Sequence, residues 1–222
     1  MTMANEATNT MRALRGLGSE SASVRLRAAL AVGSAPDPRW VDELVGRCAI
    51  EPDFQVREML TWALTRHSPA LTLPRLLGEL RSEPAQARSQ ALHTLSKIGD
   101  RQAWPAITRE LMTDPDDEVA RSAWRAAVVL VPAGAESELA GVLATQLGRG
   151  GRETQLSLSR ALIALGEAMT PVLRAAQSDP RPDVRRHAIA TEKLSRDPDA
   201  GFDFAIEEAR RVLVLGPSGQ EE

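Results

Sequence analysis

The chain has 222 residues, 43% of them hydrophobic but only 3% aromatic, with no Tyr, three Phe and four Trp. Its core must therefore be aliphatic, which favours helices packed closely through Ala and Leu over β-sheet. The net charge of −3 offers no global excess of positive charge to a nucleic acid, and the single cysteine, Cys48, excludes an intrachain disulfide and a zinc site built on paired cysteines.

From the N-terminus, residues 1–11 lack the apolar stretch of a signal peptide. Apolar residues then recur at helical spacing, and the pattern predicts helices over 22–33, 37–50, 54–67, 70–81, 86–98, 101–112, 117–130, 135–147, 152–165, 167–177 and 183–196. A closing amphipathic helix over 199–215 carries Phe202, Ile206, Ala209 and Leu213, and the polar tail 216–222 is expected to be disordered. No run approaches the length of a membrane span, so no membrane partner is expected and a reducing cytoplasm is the expected location.

The helices fall into a repeat. Glu51-Pro52-Asp53-Phe54-Gln55-Val56, Asp114-Pro115-Asp116-Asp117-Glu118-Val119 and Asp179-Pro180-Arg181-Pro182-Asp183-Val184 share the form acid-Pro-x-x-x-Val, each ahead of a helical apolar run. Val56, Val119 and Val184 are 63 and 65 residues apart, which is two units of about 32 each. Val24-Arg25 and Ala87-Arg88 mark the intervening units, and a weaker unit without the Pro or the Val fills 152–165. A second landmark keeps the same period: Trp40-Val41, Leu73-Pro74, Trp104-Pro105 and Thr170-Pro171 each open the other helix of a unit, where Pro is tolerated because its missing N–H would be unpaired anyway.

This pattern resembles the HEAT-repeat family. The acid-Pro-x-x-x-Val-Arg turn and the apolar positions after it (Ala28, Leu60, Ala91, Ala123, Ala161, Ala188) carry the resemblance over 19–197. It implies an all-α fold, a right-handed α-α superhelix of about six helix pairs, with 1–222 forming one repeat domain. It also implies that the second helix of each pair lines a concave surface. Those second helices are net basic and the turns net acidic, so the resemblance implies a basic inner face with acidic edges.

In such repeats the Arg after the Val pairs with an acid of the preceding turn, which makes Arg57 with Asp53 and Arg185 with Asp183 the expected structural ladder. Arg27, Arg66, Arg88, Arg121, Arg125, Arg160 and Arg186 have no such role in the pattern. Trp62, His93 and Arg125 occupy one register of successive second helices. Together with Trp124, Arg88 and Arg121 they form the candidate concave binding face. The competing reading of Trp62 and Trp124 is that both rings belong to the core of a protein short of aromatics.

No catalytic constellation is visible. There is no Gly-rich phosphate loop, no His-Glu dipeptide of the kind the HEAT-like di-iron hydroxylases use, and His67, His93 and His187 are scattered over three units. No cofactor and no metal is expected, and Cys48 reads as a small buried hydrophobe. The expected function is that of a non-catalytic scaffold that binds a protein partner on its concave face. The alternative is a nucleic-acid-binding protein akin to the HEAT-like-repeat DNA glycosylases, although no concave Asp accompanies the rings. A relation to the HEAT-like bilin lyases would rest on fold alone.

Overall fold

A computed structural model describes residues 14–215. Every regular element among them is helical and no strand is present. The chain divides into two compact units, Met1–Ile107 and Thr108–Glu222.

In the first unit a helical turn over 14–17 precedes α1 (Ala22–Ser34), α2 (Val41–Ile50), α3 (Phe54–Thr65), α4 (Pro69–Glu79) and α5 (Ala85–Ile98). Helices α1, α3 and α5 pack side by side, and α2 and α4 form a second row against them. The second unit repeats the plan with α6 (Arg109–Met112), α7 (Asp117–Leu130), α8 (Glu136–Ala144), α9 (Arg152–Ala164), α10 (Met169–Ala176), α11 (Pro182–Arg196) and α12 (Phe202–Leu215). There α7, α9, α11 and α12 stack in sequence, with α6, α8 and α10 as the other row. Leu60, Leu95, Val119 and Leu158 are almost wholly buried between the rows, so the apolar stripes read from the sequence face inward.

Helices α3 and α7 begin where the sequence supplies a side-chain acceptor. The Asp53 carboxylate takes the Val56 N–H, and that of Asp116 takes both the Glu118 and Val119 N–H groups. Gly99 ends α5 at φ 70°, the left-handed geometry that glycine adopts without a Cβ penalty. The predicted helix over 101–112 is broken. Residues Arg101–Ala106 form a 3-10 segment containing Pro105, Thr108 is extended, and only the single turn α6 follows. Pro74, expected to open a helix, sits inside α4, which begins at Pro69.

One device recurs at the start of the second helices. Arg25 donates from Nη1 to the carbonyls of Ser19 and Glu20, Arg57 to those of Glu51 and Pro52, Arg88 to those of Ser82 and Glu83, and Arg185 to those of Asp179 and Pro180. In each case the acceptors lie six and five residues back, in the turn that enters the helix. The expected ladder pairs Arg57–Asp53 and Arg185–Asp183 are thus replaced by clamps on backbone carbonyls. Gln155 makes a reduced version, donating to the Gly150 carbonyl alone. Ala120 stands at the clamp position of α7, and Arg149 reaches in from the loop before α9 to donate to the carbonyls of Asp114 and Pro115.

The first unit also holds a buried ion cluster. Glu51, with no exposed surface, receives Nε and Nη2 of Arg25 (both 2.7 Å), Nε and Nη2 of Arg47 (2.9 and 2.7 Å) and the Asp53 N–H (2.9 Å). Burial raises its carboxyl pKa, but the hydrogen bonds from Arg25, Asp53 and Arg47 outweigh that and hold it down at about 2. Gln86 of α5 donates to the carbonyls of Cys48 and Glu51, tying the next helix to the same turn.

Candidate functional site

The six candidate residues are shared between the two units: Trp62, Arg88 and His93 in the first, Arg121, Trp124 and Arg125 in the second. Trp62 retains 37% of its surface exposure on α3. Its ring lies over α1 at Gly33, where a Cβ would stand only 2.5 Å from the ring atom Cζ3. The lack of a Cβ at Gly33 is what leaves room for the ring. One α-carbon later along α3 is Ala63, also against Gly33, so α1 and α3 approach at backbone distance.

Trp124 is placed differently. It is completely buried on α7, and its indole N–H donates to the Met112 carbonyl at 2.8 Å. It sits five residues past its unit's Val, whereas Trp62 sits six past. One residue turns a side chain by about 100° around a helix, enough to carry it from the exposed stripe into the core. Trp124 therefore offers no ring to a ligand, which corrects its assignment to the binding face.

The arginines of the candidate face are already engaged. Arg88, which has no ladder role in the sequence pattern, clamps its own turn. Arg121 contacts Glu118 at 2.8 Å and Glu153 at 3.4 Å. Arg125 donates to the Ser122 hydroxyl. His93 Nε2 lies 3.0 Å from Glu58 Oε1, linking α5 to α3 one helical turn before Trp62.

Leu30 of α1 holds the same register as Trp62 and His93, six residues past Val24, and is 46% exposed. The sequence reading missed it because a single Leu on a surface carries no signal; the packing of α1 on α3 supplies it. The first unit thus presents Leu30, Trp62 and the Glu58–His93 pair on adjacent helices: an apolar ridge with a charged border.

Other chemistry-bearing groups are buried in structural roles. Burial pushes the Cys48 thiol up to about 12, so it stays protonated and unreactive. His187, Ser159 and Thr191 form a solvent-free polar cluster in the second unit. His187 Nδ1 accepts the Gly148 N–H and Nε2 faces the Gln155 carbonyl, both at 3.0 Å, so Nε2 must carry the ring proton. The imidazole cannot then take a proton from Ser159 at that nitrogen, which excludes activation of this serine as a nucleophile. Burial is the main cause that lowers the His187 pKa to about 4, helped by Arg186 and opposed by the Gln155 carbonyl. Among the described residues, no group of three or more His, Cys, Asp or Glu side chains is placed to hold a metal ion. Nor is any single described helix long and apolar enough to cross a membrane.

A comparison with protein-family models matches none of them. No curated protein matches the chain significantly either, so the ridge around Trp62 stands on its own geometry.

Proposed function

We propose that the chain is a HEAT-like α-solenoid, a right-handed superhelix of helix pairs, that acts without catalysis as a binding scaffold for a protein partner. The observation that carries this reading is the exposed ridge of Leu30 and Trp62 on α1 and α3. Partly exposed tryptophans held rigidly by their neighbours are the residues that most often anchor protein interfaces, because a large ring is buried on binding at little entropic cost. The Glu58–His93 pair supplies the polar rim beside it.

The nucleic-acid reading is less well supported. A polyanion would have to draw Arg88 from its turn carbonyls and Arg121 from two glutamates. Trp124 is out of reach of a base.

The test runs two measurements on one pair of proteins. Wild type and Trp62→Ala are used to capture partners from the native host, and both are titrated with duplex DNA at physiological salt. The scaffold reading expects a captured protein that Trp62→Ala loses, and DNA binding no tighter than the non-specific range of about 10⁻⁴–10⁻⁶ M. Sub-micromolar DNA binding with a steep salt dependence reverses the assignment.

A further inference from the structure

The second unit contains a cavity of about 580 Å³ bounded by α9, α11 and the start of α12. A volume of that size suits a small ligand. Its walls are apolar: Leu156 and Ile163 of α9, Leu194 of α11 and Phe202 of α12. Leu156 and Ile163 are only partly covered by the core cluster of Leu194, Phe202, Ala205 and Ala209, which leaves part of each facing the cavity. The lining residues Arg152, Leu156, Arg160 and Ile163 recur along one face of α9 and span about 16 Å at 1.5 Å per residue. The groove is therefore elongated.

Its two cations are not equivalent. Arg152 is neutralised by Asp203 through a two-point contact at 2.5 and 2.8 Å. Arg160, which also lines the cavity, is exposed and has no hydrogen-bonding or ionic partner among the described residues. An elongated apolar groove with one uncommitted guanidinium complements a ligand with an apolar tail and one carboxylate, since the arginine fork matches a carboxylate in two-point geometry.

We propose that this cavity binds an amphipathic monocarboxylate, its chain along α9 between Leu156, Ile163, Leu194 and Phe202 and its carboxylate on Arg160. The site lies in the second unit and is independent of the ridge around Trp62.

The experiment is calorimetric titration of the full chain with dodecanoate below its micelle concentration, with dodecanol and acetate as controls. One saturable site is expected for dodecanoate. Dodecanol, which keeps the tail and loses the charge, should bind at least about tenfold more weakly, and acetate should not bind. Arg160→Gln should weaken dodecanoate by about tenfold with an unchanged melting temperature, because the side chain supports nothing else. Ala164→Phe, at an exposed position on the cavity wall, should obstruct binding by filling the groove. The proposal is overturned if dodecanoate shows no saturable site, if dodecanol binds equally well, or if neither variant changes the affinity.

Discussion

Arg149 donates to the carbonyl of Asp114 at 2.5 Å, the acceptor that an arginine at position 120 would take if this unit followed its neighbours. The same side chain reaches Asp117 through Nε at 2.9 Å. A missing residue on one helix is thus made good from a loop 29 positions further on.

Removing that substitute should expose the deficit. Hydrogen bonds from a charged donor contribute about 1.5–3 kcal/mol each. Arg149→Ala is expected to lower stability by at least that amount in denaturant unfolding. Adding Ala120→Arg to the variant should restore part of the loss by rebuilding the local clamp. A variant as stable as wild type would show that the turn before α7 needs no clamp.

The contact between Gly33 and Trp62 predicts overpacking. A Cβ at position 33 would lie 2.5 Å from the ring and 2.8 Å from the Ala63 Cα, and the backbone atom cannot swing away. Gly33→Ala should cost about 1–3 kcal/mol although it raises helix propensity. A thermal melt at or above the wild-type midpoint would contradict the close approach of α1 and α3.

The two tryptophans should respond unequally to truncation. Trp124→Ala empties a fully buried site and strands the Met112 carbonyl, at an expected cost of about 3–5 kcal/mol. Trp62→Ala should be clearly milder, since the ring is partly in water already. Equal losses would place both rings in the core and remove the ridge.

Acidification should act in two windows. The His187 pKa falls from the ordinary 6.5 to about 4 on folding, so between those values the unfolded chain binds a proton that the folded chain does not. Stability therefore declines as pH falls from 6.5 to about 4 and then levels off for this group. Glu51 drops from the ordinary 4.5 to about 2, so the stability conferred by its ionised form is complete above 4.5 and is lost on the way down to about 2. Unfolding measured by circular dichroism from pH 7 to 2 should show both declines. His187→Gln should shrink the upper one, to which His67, its pKa also lowered by burial, contributes in the same direction, and leave the lower.

The repeat was readable because two landmarks kept one period, and a period survives even where individual residues drift. The starts of α3 and α7 could be read from Asp53 and Asp116, since a capping carboxylate acts within three residues. The break at 101–112 was hidden: Pro105 had the spacing of a helix start, and its effect depends on whether the chain before it is already helical. Trp62 and Trp124 looked alike because a one-residue offset is smaller than the uncertainty of a helix boundary, yet it separates surface from core. Arg88 follows Ala87 as Arg57 follows Val56, so its position was legible, but its acceptors were not, because they are backbone carbonyls common to all residues. The cavity beside Arg160 was invisible for a related reason. It arises where α9 meets the consecutive helices α11 and α12, from which α10 separates it in the chain.

The clamps also bear on how such a chain changes over generations. Each arginine grips main-chain oxygens, so the turn it fastens is free to vary: Ser19-Glu20, Glu51-Pro52, Ser82-Glu83 and Asp179-Pro180 all serve. A unit that carries its own arginine can be duplicated or transplanted with its fastening included. The unit of α6 and α7, with Ala120 at the clamp position, lacks that independence. It is held by a loop belonging to the next one, so moved alone it would leave its fastening behind.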